Sequence, residues 1–138
     1  MPLADVPFAT VAADDATVFP APRASFLRAW ISARGHIGRA LVRDGRLAAW
    51  GVSRPCRTGR KIGPLVADDR AAATFAALVA AEGPGEVFLD VPSVNRDAAA
   101  LAHDHGLAPV FETARMYTGA IRPVRLERVF GVTTFELG

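Results

Sequence analysis

At 138 residues, with 51% hydrophobic and 22% charged residues, the chain has the composition of a globular protein, and a domain of this size buries roughly two thirds of its unfolded surface without disulfide or metal staples. Sixteen Lys plus Arg against fourteen Asp plus Glu leave a net charge of +2, too small a basic excess to suggest a nucleic-acid partner despite a pI near 9.3. Apolar runs broken by Arg or Asp well short of the ~20 residues that cross a bilayer predict no membrane partner, and the N-terminus lacks the basic-then-apolar order of a secretory signal.

In chain order, the first predicted element lies within "FPAPRASFLRAWISARGH", where Phe26, Leu27, Trp30 and Ile31 recur at helical spacing, Pro22 suits a first turn and Gly35 a stop. "GRALVRDGRLAAWGVSRP" sets two apolar runs around Asp44-Gly45, a pair that accepts the positive φ angles of a tight hairpin. "PCRTGR" turns the chain again into "KIGPLVA", which makes a three-strand meander. The Ala-rich "DDRAAATFAALVAAEGPG" predicts a helix with Asp68 and Asp69 at its start and Gly83 at its end.

"EVFLDVP" follows as a short apolar strand of the kind covered on both faces. In "VPSVNRDAAALAHDHGL", Asn95 is placed to cap a helix that Gly106 ends. "LAPVFETARMYTG" and "RLERVFGVTTFEL", rich in Val, Phe, Thr and Tyr, predict two long final strands. Cys56 is the only cysteine, which excludes an internal disulfide and a Cys-based zinc cluster and suits a reducing compartment, so a cytoplasmic protein is expected.

Asn95, Ala98, Leu101, Gly106 and Leu107 resemble the Asn-Ala-Leu-Tyr-Gly-Phe pattern on the helix after the fifth strand of the GNAT superfamily of acyltransferases. The element order agrees with that family over nearly the whole chain. The stretches "VFPAPRASFLRAW", "KIGPLVADD" and "FETARMYTG" also resemble the C-terminal GNAT-like half of bacterial tandem two-domain proteins. The resemblance implies a single GNAT-like α/β (α+β) domain over 1–138, with a mixed, mostly antiparallel sheet flanked by helices. That sheet splays between "KIGPLVA" and "EVFLDVP".

The resemblance further implies N-acetyl transfer from acetyl-CoA to an amine, with pantetheine pairing along Leu65 and Val66, Arg70 standing in for the basic residue of the phosphate loop, and Asn95 on the cofactor side. Two departures weaken it. The family's tyrosine, which typically protonates the departing thiolate, is Ala102 here, and a methyl group donates no proton. In "VADDRAAATF", Ala71 and Ala73 replace the glycines that let bare N–H groups cradle a pyrophosphate. One carboxylate at ~5 Å from a phosphate charge costs about 3 kcal/mol at an effective dielectric of roughly 20, so weak acetyl-CoA binding is expected; Asp68 and Asp69 read equally as caps of a structural helix.

Alternation in "ETARMYTG" puts Arg115 and Tyr117 on one strand face. In a GNAT fold that strand borders the acceptor cleft, which implies substrate contacts from Arg115 and Tyr117 together with Phe26 and Trp30, and Tyr117 as a replacement proton donor; a packed structural pair is the alternative. Asp90 is a second catalytic candidate, as a base or as a strand-end hydrogen-bonding group. Arg54, Arg57, Arg60 and Lys61 make a basic loop fit for an acidic group or for a solvated hairpin tip. His103 and His105, two apart on a helix, point to different faces and predict no metal site. Two functions stay open: an acetyltransferase, or a degenerate GNAT-like module that binds a small ligand or supports a partner GNAT domain, with the last strand also able to pair across a homodimer.

Overall fold

The computed structural model describes residues 1–137. A 3-10 turn at Leu3–Asp5 leads into α1 (Phe8–Asp15) and α2 (Ala24–Ser32), then β1 (Ile37–Arg43), β2 (Arg46–Pro55), β3 (Arg60–Ala67), α3 (Ala71–Glu82), β4 (Val87–Leu89), α4 (Arg96–Asp104) and β5 (Val129–Gly131). Asp44 and Gly45 both take positive φ, 52° and 74°, as the predicted β1–β2 hairpin requires. No helix among the described residues is long and apolar enough to cross a membrane.

The sheet order is β1-β2-β3-β4, antiparallel up to β3 and parallel between β3 and β4, with β5 antiparallel to β3. This is the expected mixed, mostly antiparallel sheet. Strand alternation divides its side chains between two cores. Trp50 and Val52 of β2 face Val11 of α1 and Leu27 of α2, while Ala49 of β2 and Leu65 of β3 face Phe75 and Leu78 of α3 and Leu101 of α4. Trp50, Leu65 and Leu78 have no exposed surface, so each contributes about 1.5–3 kcal/mol of burial.

The last quarter of the chain corrects the sequence expectation. Residues 107–125 form no strand, and 108–123 are exposed throughout; of 126–137 only Val129–Gly131 is a strand, preceded by a 3-10 turn at Leu126–Arg128. Strand-forming composition becomes a strand only where an edge is free to pair. Here β4 is three residues long and each is only half-buried, unlike the strand covered on both faces that its composition predicts. The edge of β3 beyond Ile62 is taken by β5, so on that side of the sheet only the three-residue edge of β4 is left for a final hairpin.

A candidate cofactor groove filled by its own chain

β3 and β4 pair only over Arg60–Ile62 and Val87–Leu89, and then part. The opening is the predicted splay, and β5 fills it. Leu65 pairs with Gly131 and Val66 with Val129, so the backbone edge expected to receive pantetheine is occupied by the chain's own backbone. Just past it the Val132 N–H donates to the Asp90 carbonyl at 2.9 Å, which ties the segment to the end of β4 as well.

Asn95 holds this segment from the helix side. Its Oδ1 accepts the Ala98 N–H at 3.0 Å, the predicted cap. Its Nδ2 donates to the carbonyls of Leu126, Glu127 and Val129 at 3.2, 3.1 and 2.8 Å. Arg128, 3% exposed, holds the segment from the other side: its guanidinium donates to Asp68 Oδ1 at 2.7 Å and to Thr17 Oγ1 at 2.9 Å, and lies 2.9 Å from Asp14 Oδ1. A planar five-donor group suits such a three-way contact. Arg23, doubly bound to Asp15 at 2.6 and 2.7 Å, reaches Thr133 Oγ1 at 3.2 Å.

The start of α3 also differs from expectation. Asp68 and Asp69 do not cap it; Asp68 bonds Arg128 and Asp69 bonds Arg43 at 3.2 Å, which leaves the exposed Arg70 at the cap position without a side-chain cap bond. Both carboxylates pair with a guanidinium instead of the first N–H groups of the helix, so that both partners of each bond are charged.

Phe26 and Trp30 do come together, with ring centroids 5.3 Å apart. Trp30 also donates Nε1–H to the Gly63 carbonyl at 3.0 Å, meets His36 edge-on at 4.9 Å and lies 5.5 Å from the Arg54 guanidinium. Desolvation holds the His36 pKa below its usual value, helped by the positive charges of Arg54 and Arg60 and opposed by a hydrogen bond to the Trp30 backbone. Arg115 and Tyr117 are not on a strand and are exposed, so the structure does not bring them to a cleft with Phe26 and Trp30; Tyr117 makes no hydrogen bond or aromatic pair among the described residues.

Asp90 forms an ion pair with Lys61 just past the end of β4, both side chains mostly covered. Arg60 is likewise held by Glu82, and it donates to the Gly35 carbonyl at 2.7 Å. Of the predicted basic loop, Arg54, Arg60 and Lys61 thus have internal partners and Arg57 is exposed. His105 bonds the Leu101 carbonyl and packs on Phe75, while His103 is exposed, on different sides as expected. Sequence reasoning missed Arg128, Asp14 and Asp15. The available signal was a charge inside the apolar run "RVFGV", which in a folded protein calls for a buried partner.

The three-strand meander, the parting of β3 from β4 and the Asn95-capped helix beside that opening together define a GNAT architecture. Residues 11–131 match the family of GNAT acetyltransferase domains, and the chain belongs to that family. It is 28% identical over 121 residues to holothin acyltransferase of Pseudoalteromonas sp. (strain SANK 73390), covering 85% of this chain and 41% of the relative. A crystal structure from Pyrococcus horikoshii, assigned as an acetyltransferase, shares the fold with a TM-score of 0.80 at 23% identity, over 100% of this chain and 45% of the other. The chain thus spans less than half the length of both.

Proposed function

We propose that this chain is a GNAT domain of an acyl-transfer protein using acetyl-CoA and a small-molecule amine, and that it serves there as a supporting module while turnover takes place on a partner GNAT domain. The observation that carries this reading is the pairing of Val129–Gly131 with Leu65 and Val66. The residues present do not fit acetyl-CoA along β3: the edge is hydrogen-bonded internally, the Asn95 carboxamide is fully engaged, and Ala102 stands where the family places its proton donor. The length of the relatives supports a partner domain, since this chain accounts for 41% and 45% of them. A lone cysteine suits the reducing cytoplasm.

Acetyl transfer to an amine by this domain itself is a second reading, favoured by the family match over 11–131, which spans both sides of the groove. A thermal titration separates the two, because a ligand at a hundred times its dissociation constant stabilises the native state by about 2.7 kcal/mol. With acetyl-CoA at tens of micromolar we expect little shift and no amine-dependent release of free coenzyme A. A large saturable shift accompanied by thiol release overturns the supporting-module reading in favour of the second.

A further inference from the structure

The segment that fills the groove is joined to the rest of the protein by an unusual connection. Residues 108–123 are exposed, lack regular structure and separate α4 from the docked residues 126–134. Sixteen residues reach about 50 Å when extended, more than the diameter of a domain whose radius of gyration is about 14 Å. The arm carries Val110, Phe111, Met116, Tyr117 and Ile121 at 75%, 70%, 87%, 49% and 65% exposure. A long irregular connection with strand-forming composition and exposed apolar side chains is incompletely packed within one chain.

We infer that the groove lined by Leu65, Val66, Asn95, Asp14 and Asp68 is a docking site for residues 126–134 of a second copy of this chain, exchanged reciprocally through the arm 108–123. The complementarity is specific. Arg128 meets two carboxylates and a hydroxyl, the Asn95 amide meets three carbonyls, and Val129 and Phe130 enter the two cores at 9% and 5% exposure. Every one of these contacts is the same whichever copy supplies the segment, so exchange loses none of them. What exchange adds lies in the arms: two copies related by a two-fold axis run their arms past each other in opposite directions, and each offers the other the strand edge that β4 is too short to provide. The inference concerns the assembly and does not depend on whether acetyl-CoA binds.

The test is covalent trapping. A full-length chain carrying Val66→Cys and Val129→Cys, with Cys56→Ser to remove the native thiol, is refolded at about 1 μM and at about 1 mM, the latter near the effective concentration of a short linker, and then oxidised mildly. Disulfide-linked dimers should dominate the concentrated sample and internally linked monomers the dilute one. Internally linked monomers at both concentrations overturn the inference, and they also identify the groove as permanently self-filled.

A second arm covers failure of the cysteine variant to fold. An Arg128→Asp chain and an Asp14→Asn plus Asp68→Arg chain each carry a mismatched contact on self-docking, but in an exchanged heterodimer the native Arg128 cluster and a reversed pair, with the amide of Asp14→Asn in place of the second carboxylate, both form. Mixed and refolded together, they should give a one-to-one complex of about twice the 14.6 kDa chain mass by light scattering. Absence of that complex, together with monomeric wild-type chain at about 1 mM, overturns the exchange; so does a wild-type dimer that both variants leave intact, since it would use another surface.

Discussion

The Asn95 carboxamide uses its hydrogen-bonding capacity inside the fold, with Oδ1 on the Ala98 N–H and Nδ2 shared among the carbonyls of Leu126, Glu127 and Val129. The cap was legible in the sequence because it acts over three residues, whereas the three carbonyls lie more than thirty positions away and follow no local pattern. The two roles separate experimentally. Asn95→Ala loses both and should lower stability by about 3 kcal/mol, well beyond the ~1 kcal/mol of a cap alone. Asn95→Asp keeps an equally good cap but turns the donor into an acceptor facing carbonyl oxygens, so its urea midpoint should fall at least as far; a midpoint equal to wild type would reduce Asn95 to a helix cap.

Among the elements, helices and hairpins formed where composition and spacing placed them, because their determinants lie within a few residues: acceptable turn residues at Asp44 and Gly45, apolar periodicity in α2, and a glycine at the end of α3. The final strands did not. "FETARMYTG" alternates as a strand should, yet its residues lie exposed and form no strand, so Arg115 and Tyr117 do not share a strand face. The element that did find an edge crosses β3 at Gly63, where a Cβ would run into the Val132 carbonyl oxygen and meet that of Thr133 at 3.0 Å. Gly63→Ala should therefore cost about 1–3 kcal/mol. It should also speed amide exchange at Val132, whose N–H bonds the Asp90 carbonyl, by roughly tenfold or more; unchanged exchange there would show that the crossing has room to spare.

Across the whole molecule, Arg128 connects the first helix, the β3–α3 junction and the C-terminal segment through Asp14, Thr17 and Asp68. Removing it leaves the Asp14 carboxylate, whose side chain is 16% exposed, without its cationic partner, so Arg128→Ala should cost about 3 kcal/mol or more in chemical denaturation. Arg128→Lys keeps the charge but not the fork that meets three partners, and should recover only part of that loss; full recovery would mean that charge alone matters. The sequence by itself carried the resemblance to the family, and it determined the order of helices and strands from α2 to α4, the turns and the cap at Asn95, because hydrophobic periodicity, turn chemistry and capping act between near neighbours in the chain. Only the tertiary structure decided that Val129–Gly131 closes the edge at Leu65 and Val66, and that Asp68 turns from the helix toward Arg128. Strand pairing and buried ion pairs join residues tens of positions apart, and they are settled by competition among all the edges and charges that folding brings together.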